Sequence, residues 1–311
     1  MFSTLLDPSI LFFIFGIAAV AMGSTLEIPA QISKFLSLYL LMSLGLKGGY
    51  SLSQTGFTSD IVEVLAVGIF LSCLFPIVGY YLLKKRLGDE SAAAIAATYG
   101  SVSAVTFITA TQFLENSGIT YGGYMAAVLA VMEAPAIIIA LMLVKFKTSG
   151  SFKEVLGESF RDGAPALLLA SMAIAFVGGE PAHTALGPFN FDLFKGMLSL
   201  FLLDMGLTAA RSFKDLNKNM SIFVYAVAAP LAHSMIALAL CLAFGISLGN
   251  TILLMTLAAS ASYIAVPAVL STALPNVNKA LYIGMGLGVT FPLNILIGIP
   301  LYAYLANLFL V

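Results

Sequence analysis

The sequence predicts an all-α membrane protein of ten transmembrane helices, arranged as two inverted five-helix repeats with helices broken near the bilayer midplane. Three observations carry that expectation: an extremely apolar composition, a one-sided distribution of basic residues between apolar runs, and a constant spacing at which the two halves resemble each other. Of 311 residues, 60% are hydrophobic and 9% charged, and the mean hydropathy of +1.02 lies far above that of a soluble domain. Marking the apolar runs leaves no tail long enough for an attached catalytic domain. The opening "MFSTLLDP" has no Lys or Arg, so it lacks the basic start of a cleavable signal peptide, and residue 9 onward is expected in the mature protein.

Apolar runs fall at 9–22, 35–52, 61–83, 91–114, 121–145, 164–178, 196–210, 220–244, 251–272 and 280–309. With the N-terminus outside, the inner loops hold Lys34, the Lys84, Lys85 and Arg86 cluster, Lys145, Lys147, Lys153, Arg161, Arg211, Lys214, Lys218 and Lys279, 12 in all. Only Lys47 and Lys195 fall outside. That asymmetry predicts both termini on the outer face.

A spacing of 161 residues relates the halves: "SLGLKGGYSL" (43–52) lies over "DMGLTAARSF" (204–213), and "YGGYMAAV" (121–128) over "YIGMGLGV" (282–289). It also sets Ser101 on Ser262. Repeats of five spans each, residues 1–148 and 164–311 around a cytoplasmic linker at 149–163, must insert in opposite senses. That is the architecture of secondary transporters.

The fourth and ninth spans explain what such repeats would do. "TYGSVSAVTF" (98–107) and "AASASYIAVPAV" (258–269) fill membrane-depth positions with glycine, serine and threonine, and the second carries Pro267, which interrupts a helix. Exposed backbone at that depth costs several kcal/mol per group unless it lines an enclosed polar cavity. Two half-helix N-termini facing that cavity would each favour an anion by about 0.3–2 kcal/mol. Gly100, Ser101, Ser103, Thr106, Ser260 and Ser262 are therefore the expected substrate-binding residues. The competing explanation is close helix packing by small residues, which leaves Pro267 unexplained.

Glu133 sits mid-span in the fifth run, and the 161 spacing places Asn294 at its counterpart; both offer oxygen to a hard cation such as Na⁺. A neutral Glu133 tethering neighbouring helices is the alternative. Asp204 and His233 are read as gate or support residues, His233 as a satisfied structural imidazole. Cys73 and Cys241 lie in separate runs, as buried packing residues do. "GMGLG" (284–288) follows no strand, and the absence of a Walker lysine motif and of Cys/His clusters disfavours ATP-driven transport, zinc chemistry and any enzymatic role. No metal centre, cofactor or nucleic-acid partner is expected.

"GSTLEIP", "LLMSLGLKGG", "GSVSAVTF", "LENSGITY", "VMEAPA", "APLAHS", "SASYIAVPA" and "YIGMGLGVTFPLN" together resemble the sodium-dependent bicarbonate permease family of bacteria and cyanobacteria, from about residue 20 to the C-terminus. The resemblance implies a gate domain of spans 1, 2, 6 and 7 and a core domain of spans 3–5 and 8–10 that moves as an elevator. It also implies a homotrimer in the bacterial inner membrane, bicarbonate held at the broken helices, Na⁺ as coupling ion, and a PII-like cytoplasmic regulator. This chain departs from the cyanobacterial pattern in carrying Tyr263 where an acidic residue follows the serine run, and in lacking the long acidic insert between repeats. The expected function is import of a small monoanion, most simply bicarbonate, by Na⁺ symport. Another small carboxylate or inorganic anion, H⁺ coupling through Glu133, or a non-transporting sensor are the alternatives.

Overall fold

The structure is a computed structural model that describes residues 7–56, 59–145, 163–215, 220–263, 266–267, 270, 274 and 276–310. Among these there is no strand; the protein is all-helical. The helices are α1 (Pro8–Ala21), α2 (Ala30–Thr55), α3 (Ser59–Leu87), α4 (Asp89–Gly100), α5 (Ala104–Asn116), α6 (Met125–Lys145), α7 (Gly163–Ala185), α8 (Phe194–Asp215), α9 (Met220–Phe244), α10 (Leu248–Ala259), α11 (Lys279–Met285), α12 (Phe291–Leu293) and α13 (Ile299–Leu310). Wide π-helical turns at Gly286–Thr290 and Asn294–Gly298 join the last three into one interrupted rod.

Each of the ten apolar runs carries helix, and seven described stretches are long and apolar enough to cross a membrane. α1 and α10 are apolar but shorter, and α2 has the length, 26 residues, with a more polar make-up. The linker at 149–163 lies, but for Gly163, outside the described residues, as does most of the stretch after Tyr263.

Local chemistry sets the helix ends. Asp7 caps α1 by accepting from the Ser9 amide at 2.9 Å, with Pro8 at the first helical position. α7 extends beyond the run read at 164–178 and bends where that run ends, at Gly179, whose φ of 51° suits a residue without Cβ.

α4, α5 and α10 are the enclosed elements, with Gly249–Ala259 buried on every face of α10. Small residues, alanine above all in α4, allow that enclosure, while Glu115 and Asn116 at the end of α5 are exposed. Around them, two helix pairs pack backbone to backbone through glycine. On α8, a Cβ at Gly206 would collide with the carbonyl of Phe13 on α1, and one at Gly16 would lie 2.5 Å from the Leu203 oxygen. On α2, a Cβ at Gly45 would lie 2.9 Å from Ser171 Cβ and closer still to the Leu168 oxygen on α7. Close approach of this kind supplies helix association where lipid offers no hydrophobic drive.

Gly206→Val and Gly45→Val are each expected to cost about 1–3 kcal/mol through backbone displacement, read as a lower melting temperature in detergent. Gly196→Ala, with no atom within 4 Å of its Cβ position, is the control that leaves melting unchanged.

Candidate functional site

The chain leaves helical geometry between α4 and α5 and again after α10. Ser101 closes α4 in extended conformation (φ −87°, ψ 179°), and Ser260 closes α10 in nearly the same one (φ −82°, ψ 170°). α4 and α10 each have 12 residues and start 159 residues apart. The helix boundaries thus set Ser101 against Ser260 and Ser103 against Ser262, two residues off the 161 register read from the flanking motifs. Pro267 is not in the break: it follows Val266 in helical conformation downstream of Ser262. Early in a helix a missing N–H costs nothing, so proline is tolerated there. What interrupts the ninth run is the serine-rich extended segment before it.

The two breaks meet. The Ser103 amide donates to Ser260 Oγ at 2.9 Å, and the Ser262 amide donates to the Thr98 carbonyl at 2.9 Å. Ser103 caps α5, its Oγ accepting from the Thr106 amide at 3.2 Å and from Thr106 Oγ1 at 3.0 Å, and it passes its own proton to the Tyr263 hydroxyl at 3.1 Å. Ser262 Oγ accepts from the Val266 amide at 3.3 Å, in the manner of a cap. All of these groups are buried. Thr106, Ser103 and Tyr263 therefore form a directed chain of hydroxyls, each donating to the next. The amides of Ala104 and Val105, first in α5, have no acceptor within their own helix. Gly100 packs on Pro76 of α3, where a Cβ would lie 2.5 Å from the proline ring.

Five of the six expected anion-binding residues, Ser101, Ser103, Thr106, Ser260 and Ser262, line the crossing, and Gly100 adjoins it. Ser101 Oγ donates to the Glu133 carbonyl at 3.4 Å, which puts Glu133, half-buried on α6, beside the end of α4. Asn294 is fully buried at the end of α10: its Nδ2 donates to the Ala259 carbonyl at 2.7 Å and its Oδ1 accepts from the Tyr302 hydroxyl at 2.8 Å. Each of the two expected cation ligands thus attends the C-terminal end of a different half-helix. Asp204 lies away from the crossing, buried on α8 and bonded to Ser33. His233 stacks on Phe75 with ring centroids 3.7 Å apart and reaches the backbone of Ala258, while its Nδ1 has no partner. The imidazole is only half satisfied, against the sequence expectation. Cys241 is buried and Cys73 partly so, both as free thiols.

Sequence reasoning treated Tyr263 as a departure and overlooked Thr98 and Phe291. Thr98 acts through its carbonyl, which any residue would supply. The Tyr263 ring meets Phe291 at 5.5 Å between centroids, a contact 28 positions apart along the chain for which no spacing rule exists.

The family model described as the Na⁺-dependent bicarbonate transporter superfamily matches residues 8–307, nearly the whole chain. No curated protein matches it.

Asn294→Leu takes away the buried donor to the Ala259 carbonyl and the buried acceptor of the Tyr302 hydroxyl, which keeps only Ser234. The expected cost is about 1–3 kcal/mol, seen as a lower detergent melting temperature, with Tyr302→Phe showing the smaller loss.

Proposed function

Because the chain belongs to the Na⁺-dependent bicarbonate transporter superfamily, we propose that it imports bicarbonate by Na⁺ symport and that the crossing of the two breaks is the anion site. The observation that carries this reading is the pairing of the breaks through Ser103, Ser260, Ser262 and Thr98. It gathers hydroxyls, first-turn amides that have no acceptor in their own helix and the positive end of α5 at one enclosed place. A small oxyanion needs several short donors converging from different directions, and the three-residue reach of a capped helix turn supplies them without a full positive charge.

The bonds now made within the crossing are weak enough to be exchanged. Thr106 and Tyr263 each give one hydroxyl proton, and both can turn toward a bound anion while Ser103 keeps its place as the cap. Tyr263 offers an uncharged donor where an acidic side chain would repel the substrate. Na⁺ would sit beside Glu133 and the C-terminal carbonyls of α4, where the helix end carries partial negative charge. Moving a cation and an anion together removes the net charge, and with it much of the cost of carrying either through a low-dielectric region.

Ten spans, two inverted five-span repeats and an elevator motion complete the proposal. The equal lengths of α4 and α10 support the repeat. So does the equivalence of the glycine-lined pairs, in which the second span of each half leans on the first span of the other. On this reading α1, α2, α7 and α8 form the gate, α3 to α6 and α9 to α13 form the core, and both termini face outward.

Labelled bicarbonate uptake into liposomes tests the function: uptake that rises with an inward Na⁺ gradient supports it, sodium-insensitive uptake points to another coupling, and absence of flux rejects transport. Ser103→Ala and Ser262→Ala are each expected to cut the initial rate about ten-fold, since a hydrogen bond to a charged group contributes about 1.5–3 kcal/mol. Normal rates in both variants would move the site elsewhere. Glu133→Gln is expected to raise the Na⁺ concentration needed for half-maximal uptake while leaving folded yield unchanged.

A further inference from the structure

We propose that the cavity between α5, α1 and α8 is the outer access path for a small oxyanion, and that Phe13 is the barrier at its floor. The inference rests on the crossing being the anion site. The cavity has a volume of about 280 Å³ and opens beside Asp7 and Lys195. Its α5 wall presents Thr109, Gln112 and Asn116: the Thr109 hydroxyl donates to the Val105 carbonyl at 2.9 Å, while Gln112 and Asn116, which donate to Asn116 Oδ1 at 3.1 Å and to Asp7 at 3.0 Å, each carry a second N–H suited to a hydrated anion. Lys195 contributes a cation at the mouth, balanced by Asp7 at 3.1 Å.

Ile10 lines the cavity one turn above Phe13 on α1, and Leu202 lines it one turn above Gly206 on α8. Gly206 lies directly against the Phe13 carbonyl, so the two helices close on each other at that level. On α5 the deepest lining residue is Thr109, three residues, or about 4.5 Å, from Thr106. Between this floor and the crossing stands a row of buried rings. Phe13 meets Phe291 edge-on at 5.4 Å, Phe291 meets Tyr263 at 5.5 Å, and the Tyr263 hydroxyl bonds to Ser103. The row joins α1 to the anion site by side chains alone, and a ring can swing aside by a rotamer change where packed backbone cannot.

The neighbouring cavity of about 260 Å³ on the other side of α5 suits an anion less, because more of its lining is apolar, with Leu44, Phe107, Ala126 and Phe191 in its walls.

Cysteine labelling tests the path independently of flux. In a Cys73→Ala, Cys241→Ala background, a membrane-impermeant methanethiosulfonate is added to intact cells. Thr109→Cys is expected to react readily, and Thr106→Cys at least ten-fold more slowly. Adding Phe13→Ala is expected to close that gap and leave the Thr109→Cys rate unchanged; Phe13→Leu, which keeps apolar bulk for the fold, is expected to narrow it. Reaction of Thr109→Cys only from the cytoplasmic side would overturn the path. An unaltered Thr106→Cys rate with both Phe13 variants would overturn the barrier. If the labelling pattern holds but liposomes take up no bicarbonate, the substrate assignment fails and the access path stands.

Discussion

Backbone amides and carbonyls inside a membrane must find partners within the protein, and that requirement shapes this molecule more than any other. The chain abandons helical bonding twice at depth, at residues 101–103 and again at 260–263. It repairs the damage by crossing the two segments, so that each supplies what the other lost. An amide of the first break is bonded to a serine hydroxyl of the second, and an amide of the second to a carbonyl of the first. Neither break is tolerable alone. The crossing also explains why the residues around it, 92–100 of α4, 105–111 of α5 and 249–259 of α10, are enclosed: lipid could not be allowed near them.

Around that crossing, contacts divide into two physical kinds. Within the α1/α8 and α2/α7 pairs, glycines bring backbone against backbone, leaving no soft atoms to rearrange. Between those pairs and α5 or α12, several contacts run through side chains, while Gly48 of α2 packs on the Gly123 carbonyl and Gly288 on the Phe213 backbone of α8. Lys47 reaches Glu115, Asn116 donates to Asp7 at 3.0 Å, and Phe13 leans on Phe291. Side-chain contacts can be exchanged one at a time at a cost near that of a rotamer change, whereas backbone packing moves as a block.

The chemistry of the crossing rests on weak, neutral donors. Hydroxyls lined up from Thr106 through Ser103 to Tyr263 polarise one another, and the start of α5 adds a partial positive charge without a lysine or arginine. A full cation there would be costly to bury and slow to release an anion. Carboxylate and carboxamide, Glu133 and Asn294, stand at the opposite polarity, beside the C-terminal ends of the half-helices. Ligands of opposite sign would thus find opposite helix ends within a short distance.

The sequence alone determined that the chain is an apolar helical membrane protein, where its helical runs lie, and that residues 98–107 and 258–269 are unlike ordinary spans. Those features are local: hydropathy over some twenty residues, and serine or glycine where leucine costs less. Membership of the transporter superfamily was equally legible, because its motifs are short and contiguous. Tertiary structure decided the rest. The register at the breaks moved from 161 to 159, because the flanking motifs and the half-helices need not share one spacing. Pro267, which sequence logic made the breaker, proved compatible with the helix that follows. Tyr263 joined Ser103, and Tyr302 joined Asn294, through contacts that depend on how whole helices cross. Such partners are chosen by packing across the fold, and no pattern along one strand of sequence encodes them.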